Sequence, residues 1–216
     1  MDIKTKLLIV DDHPSFIEGV SLLLQSIFNE CDIFTTNNGH EALAIIKKHP
    51  DMDWVFLDLN MPDMSGIELI THLEKNKITA NVIIMTSESS PDVIDQSLKK
   101  HVNAFLTKDF DRKMLLDCVS TVESGRIFLT PQNKIQLHNY RESVLREKQE
   151  IEDHISQRQQ ETLLLIAKGF SNHQIATNLG ISENTVKSHV SSLMSLFEAD
   201  NRTHCVAEAR RLHIVD

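Results

Sequence analysis

Short apolar runs alternate with longer amphipathic stretches from the N-terminus to about residue 124. The runs are Leu7–Val10, Cys31–Thr35, Trp54–Asp58, Val82–Thr86 and Val102–Leu106. Rich in Val, Ile and Phe and only a few residues long, they read as buried strands. Between them apolar residues fall at helical spacing, as at Phe16, Val20, Leu23, Leu24 and Ile27. Strands alternating with helices predict a parallel, doubly wound α/β sheet built as (βα)5, one compact domain over residues 1–124.

The grammar changes after Gly125. Residues 132–154 are strongly polar, free of Gly and Pro, and carry only a broken apolar stripe at Ile135, Tyr140, Val144, Leu145 and Ile151. Residues 125–154 therefore read as a helical linker, with a dimerising coiled coil as the lesser alternative. From Ile155 onward only helical patterns remain. Ser156 with Gln159 and Ser171 with Gln174 fit the capping box, in which a hydroxyl and an amide satisfy free backbone N–H groups. Gly169 and Gly180 fall where helices should stop. Residues 155–216 thus predict a small all-α domain of four helices.

Composition changes this picture little. Of 216 residues, 41% are hydrophobic and 25% charged, the mix of an ordinary globular chain. No apolar run approaches the roughly 18 residues that span a bilayer, and the start lacks the layout of a secretory signal. We expect a cytoplasmic protein with no membrane association. Cys31, Cys118 and Cys205 lie far apart without a C-x-x-C pair, and the His residues are scattered. Disulfide, redox and zinc chemistry are set aside, and each Cys is expected to be a small core hydrophobe. The net charge of −9 does not itself suggest nucleic acid.

The candidate chemistry gathers at strand ends. The first predicted strand runs into Asp11 and Asp12, the third ends at Asp58, the fourth at Thr86, and the fifth leads to Lys108. In an open α/β sheet ligands bind outside the carboxyl ends of the strands, where strand order reverses. Three carboxylates there would repel unless a hard cation joins them, and Mg²⁺ suits oxygen ligands. A carboxylate nucleophile, a metal, a hydroxyl and an ammonium together compose a phosphoryl-transfer site, where catalysis is mostly positioning and charge neutralisation.

The strings LIVDDHP, VFLDLNMPDMSG, VIIMTS and FLTKD resemble the receiver domains of NarL/FixJ-class two-component response regulators over residues 5–124. The resemblance implies Asp58 as phosphoacceptor, Asp12 as a direct Mg²⁺ ligand and Asp11 as one acting through water. It adds the backbone carbonyl of Asn60 as a further ligand. Lys108 would pair with a phosphoryl oxygen and Thr86 would hydrogen-bond another, while Phe105 would move with Thr86. Pro62 and Gly66 fit the loop after the phosphoacceptor. Ala104 stands where the family often has Gly, and His101 begins a segment that usually carries Gly-Ala.

Ser171–Leu179, a turn at Gly180 and Ser182–Phe197 predict a helix-turn-helix, whose second helix enters the major groove. Ser182 is the expected N-cap, and Glu183 suits the positive helix end. The string SNHQIATNLGISENTVKSHVSSL resembles the LuxR-type helix-turn-helix, a likeness extending from Ile155 to about Val206. It places Ile175, Ala176, Leu179, Ile181, Val186, Val190 and Leu193 in the core. It implies that Lys187, Ser188 and Ser191 point toward base edges, and that Thr185, His189, Arg202 and Thr203 lie near phosphates of double-stranded DNA.

Charge pulls the other way. Residues 151–216 carry six Lys and Arg against eight Asp and Glu, a net −2. Leu196 stands where the family commonly has Lys, and Ser191 and Ser195 where it has polar or basic residues. Phosphate contacts supply most non-specific affinity, so weak, salt-sensitive binding that relies on a homodimer is expected.

The leading reading is a transcription regulator phosphorylated by a partner histidine kinase, binding half-sites about 10 bp apart. The alternative is a phospho-switched module whose helical domain binds protein. An enzyme acting on other substrates through an aspartyl-phosphate is disfavoured, since the string at Asp58 is D-x-N-x-P, without the second acid of D-x-D-x-T phosphatases. No Walker A loop or kinase signature is present, so the expected chemistry is limited to the chain's own phosphorylation and dephosphorylation.

Overall fold

A computed structural model describes residues 4–87 and 90–215. Every predicted strand forms: β1 (Thr5–Val10), β2 (Cys31–Thr36), β3 (Trp54–Leu57), β4 (Asn81–Thr86) and β5 (Ala104–Thr107). They alternate with α1 (Pro14–Ile27), α2 (Gly39–Lys48), α3 (Gly66–Lys75), α4 (Pro91–Leu98) and α5 (Arg112–Glu123). All pairings are parallel, in the order β2-β1-β3-β4-β5-β6. The sixth strand, β6 (Phe128–Leu129), lies beyond the boundary read from sequence and pairs with Ala104 and Phe105. Two residues are too few to show a period, so only the sheet edge reveals it.

The strands sort their side chains by the period-2 rule. Leu8, Val10, Val55, Leu57, Ile84 and Phe105 face a core with Ala42, Ile46, Leu69, Leu73 and Ile94 of α2, α3 and α4. Leu7, Ile9, Phe56, Ile83, Met85 and Leu106 face another with Val20 and Leu24 of α1 and Leu115, Cys118, Val119 and Val122 of α5. Each Val, Leu, Ile, Met or Phe among them, when fully buried, stabilises the fold by about 1.5–3 kcal/mol. The chain leaves β1 toward β2 on one side and leaves β3 toward β4 on the other, so strand order reverses between β1 and β3. The crevice outside the carboxyl ends of β1 and β3 is therefore the topological switch point.

The chain divides into two compact units, one ending at His138 and one starting at Asn139. Helix α6 (Pro131–His154) runs through this division. Leu137 belongs to the core of the first unit, whereas Ile151 and Val144 belong to that of the second. This split role explains the broken stripe in the sequence: the two ends of one helix answer to different cores.

The second unit adds α7 (Gln157–Ala167), α8 (Asn172–Leu179), α9 (Glu183–Leu196) and α10 (Arg202–Arg211). Both anticipated capping boxes are present, Ser156 with Gln159 and Ser171 with Gln174. Such a cap contributes about 1 kcal/mol. Arg211 joins α10 to α6 and to its own helix, donating to Glu147 Oε1 and to Glu208 Oε2 at 2.7 Å. Lys148 Nζ donates to the carbonyl of His213 at 3.0 Å. Cys118 and Cys205 are buried and Cys31 is half-buried. Burial pushes the Cys118 thiol up to about 12 and Cys205 up to about 11. No helix among the described residues is long and apolar enough to cross a membrane.

Candidate functional site

At the switch point, β1 delivers Asp11 and Asp12 and β3 delivers Asp58. The Asp58 amide donates to the carbonyl of Val10 at 2.9 Å, fixing the two strand ends side by side. Asp11 is fully buried and Asp58 is 3% exposed, while Asp12 is half-buried. Buried carboxylates need compensation, and Lys108 supplies it. Its Nζ lies 2.7 Å from Asp58 Oδ2 and 2.8 Å from Asp11 Oδ2. Burial pushes this ammonium down, but its close contacts with the Asp11 and Asp58 carboxylates outweigh that and hold it above its ordinary value.

The loop bearing Lys108 is itself anchored, since its amide donates to the carbonyl of Thr86 at 2.9 Å. Thr86 is fully buried at the end of β4, in register with Thr107. Phe105 is fully buried in the core beneath α2, α3 and α4. Asn60 follows Asp58, and its amide donates to Asp58 Oδ1 at 3.3 Å. Gly66 opens α3 against this loop. A Cβ there would stand 2.6 Å from the Asp58 carbonyl oxygen and 2.8 Å from Leu59 Cα, so only glycine fits.

The donor set fits a hard divalent cation. Asp11, Asp12, His13 and Asp58 each offer a ligand atom, and these atoms lie within 4.8 Å of one another. Asp11 Oδ2 and Asp12 Oδ1 are buried and accept no hydrogen bond. Lys108 Nζ and His13 Nδ1 approach them at 2.8 Å and 2.6 Å, outside hydrogen-bond alignment. Oxygens so placed have coordination capacity left. Sequence reasoning gave His13 no role, although it stood in the string LIVDDHP. It also read Phe16 only as a core-facing helix position, whereas the structure sets its ring centroid 4.9 Å from Lys108 Nζ.

In the second unit, α8 ends at Gly180, whose φ of 66° is the left-handed turn that glycine supplies without strain. Ser182 caps α9 by accepting from the Thr185 amide at 3.1 Å. Glu183 takes a second role, pairing with His173 of α8 at 2.7 Å. Val186 and Leu193 are buried and Val190 is half-buried, spaced i, i+4 and i+7 along the inner face of α9. The helix therefore leaves Lys187, Ser188 and Ser191 exposed on its outer side, with Thr185 exposed and His189 half-buried. Thr203 is exposed at the start of α10. Arg202 is turned to the protein: it donates to the carbonyl of Phe170, and its Nη1 donates to Asn172 Oδ1 at 3.2 Å. Burial lowers its guanidinium below the ordinary value.

A parallel (βα) domain with an acid-and-lysine crevice, ahead of a helix-turn-helix, defines a signal-receiving regulator with a nucleic-acid reading head. The chain belongs to the two-component response regulators: residues 7–120 match the response regulator receiver domain, and residues 153–209 match the luxR family of bacterial regulatory proteins. It is a response regulator with a receiver domain and a LuxR-type DNA-binding domain. It is 31% identical to the glycerol metabolism activator of Pseudomonas putida over 212 residues, 94% of either chain. It is 30% identical to the response regulator VraR of Staphylococcus aureus, over 97% of this chain and 98% of that one. Among solved structures it is similar to the response regulator ChrA of a heme-sensing two-component system, with a TM-score of 0.52 and 26% identity over 98% of both chains. An RcsB–DNA complex shares the fold, with a TM-score of 0.56 at 21% identity over 97% of this chain and 99% of that one.

Proposed function

We propose that the protein accepts a phosphoryl group on Asp58 from a partner histidine kinase in the cytoplasm, and that the modification governs homodimerisation and sequence-specific binding to double-stranded DNA. The observation that carries this reading is the Lys108 ammonium held between the buried carboxylates of Asp58 and Asp11 at the switch point. An Asp58 oxygen attacks phosphorus as the donor's bond to phosphorus breaks. Mg²⁺ held by Asp11, Asp12, Asp58 and the Asn60 carbonyl would neutralise charge on the transferring group. Lys108 shifts from the Asp58 carboxylate to a phosphoryl oxygen, and the Thr86 hydroxyl donates to another. The new group carries about −1.5 to −2 charges and three acceptor oxygens, enough to draw the β4 and β5 loops inward and bias the Phe105 face. Beyond taking up and hydrolysing this group, no catalysis on other substrates is proposed.

Lys187, Ser188 and Ser191 would read base edges, with Thr185, His189 and Thr203 near phosphates. The net −2 charge of the C-terminal residues and the inward Arg202 favour dependence on dimerisation, because few cations remain to offset DNA phosphates. The same observations favour the second reading, a helical domain that binds protein.

The test is enrichment of genomic fragments by the full chain with Mg²⁺, with and without beryllium fluoride, alongside Asp58→Asn. Discrete sites enriched by the wild type only with the mimic, and by Asp58→Asn in neither state, are expected. Enrichment in no state would replace DNA with a protein partner.

A further inference from the structure

We propose that Phe16 is a positioning residue for Lys108: the face of its ring holds the ammonium over the Asp11–Asp58 crevice and so sets the rate at which Asp58 takes up a phosphoryl group. The inference rests on the phosphoacceptor reading of Asp58.

Lysine is a compact charge on a flexible four-carbon stem, and nothing in the stem itself directs Nζ to one place. Here Nζ is bounded by the two carboxylates at 2.7 and 2.8 Å and by the Phe16 ring, with 4.9 Å to its centroid. An aromatic face carries negative charge density and attracts a cation within about 6 Å. The ring is itself fixed. Phe16 stands in the first turn of α1 and meets Phe110, two residues past Lys108, in an edge-to-face pair at 6.0 Å and 77°. Arg112, which opens α5 just past that loop, ties α5 to the last turn of α1, its Nε donating to Ser26 Oγ at 3.2 Å. The first turn of α1 therefore forms a wall beside the lysine, braced against the loop that carries it.

Packing alone does not account for this arrangement. Phe16 is half-buried, and a leucine would fill much of its place against the α1–α5 core. What leucine lacks is a face for the ammonium. During transfer from acetyl phosphate the O–P bond forms at Asp58 while the donor P–O bond breaks and acetate leaves. Lys108 keeps its proton and must stand beside the developing charge, where placement decides how much it helps. A ring that confines Nζ to the crevice shortens the path from the carboxylate to the phosphoryl oxygen.

The test uses the full chain with mono-, di- and trifluorinated phenylalanine placed only at position 16, together with Phe16→Leu and an Asp58→Asn control. Fluorination drains charge from the ring face while nearly keeping its shape. Initial phosphoryl uptake from acetyl phosphate with Mg²⁺ is one readout. The ¹⁵N resonance of Lys108 Nζ in the metal-free, unphosphorylated chain is the other. The expected result is a stepwise fall in rate with fluorine number and a matching displacement of the resonance. Phe16→Leu should lose about three- to ten-fold in rate. A rate and resonance indifferent to fluorination overturn the inference even if Phe16→Leu is slow, because the ring would then matter only as bulk. Uptake that persists unchanged in Asp58→Asn overturns the phosphoacceptor reading and this inference with it.

Discussion

Replacing Lys108 with methionine removes the ammonium while keeping much of its stem. Asp11, fully buried, and Asp58, 3% exposed, would then share the crevice without their cation. Removing one partner of a buried pair costs about 3–5 kcal/mol. The lower end applies, because the Lys108 side chain is 14% exposed and water reaches the mouth of the crevice. A loss of about 3 kcal/mol lowers the midpoint of a unit this size by roughly 12 °C. Mg²⁺ should return much of the loss, since a divalent cation replaces the missing charge and no longer competes with the lysine. Calorimetry on both chains in EDTA and then in Mg²⁺ measures this directly. The sign with pH also follows. Lys108 titrates above its ordinary 10.5 in the folded protein, so its contribution is complete below that value and is lost only as pH rises through the elevated one. The gap between wild type and variant should thus stay level from neutral pH to about 10 and close above it. A metal-free loss under about 1 kcal/mol, or an equal gain from Mg²⁺ in both chains, would refute the account of Lys108 as the counter-charge of two buried acids.

Gly66→Ala should destabilise the first unit by about 1–2 kcal/mol despite alanine's better helix propensity, because overpacking against backbone outweighs that gain. Its Cβ would press on the Asp58 carbonyl at 2.6 Å, so phosphoryl uptake should also fall by about ten-fold or more; an alanine variant as stable and as reactive as wild type would show that the loop gives way freely. Arg202→Ala should cost the second unit about 1–2 kcal/mol in urea unfolding, through loss of the bonds to Phe170 and Asn172. The salt dependence of its DNA affinity should be unchanged, whereas a slope reduced by about one would place the guanidinium on a phosphate instead.

Much of the architecture was determined by the sequence alone. Five apolar runs of strand length, separated by helical periods, compel a parallel sheet, because such strands must be covered on both faces. The capping boxes at Ser156 and Ser171 and the turn at Gly180 are local chemistry, and local chemistry is written in neighbouring residues. The acids and the lysine of the crevice were legible for a related reason: each ends a strand, and strand ends of a doubly wound sheet converge.

Tertiary structure decided what depends on residues distant along the chain. The strand at Phe128–Leu129 exists only because β5 offers an open edge. Helix α6 shows a broken stripe because Leu137 and Ile151 serve different cores. Arg202 looks in sequence like one more cation for DNA, yet the carbonyl of Phe170 lies within its reach and burial there is compensated by hydrogen bonds. Phe16 has the spacing of a core residue, and only the approach of the loop bearing Lys108 gives its ring an ammonium to face. Periodicity records which side of an element is covered; what covers it is settled when the sheet closes.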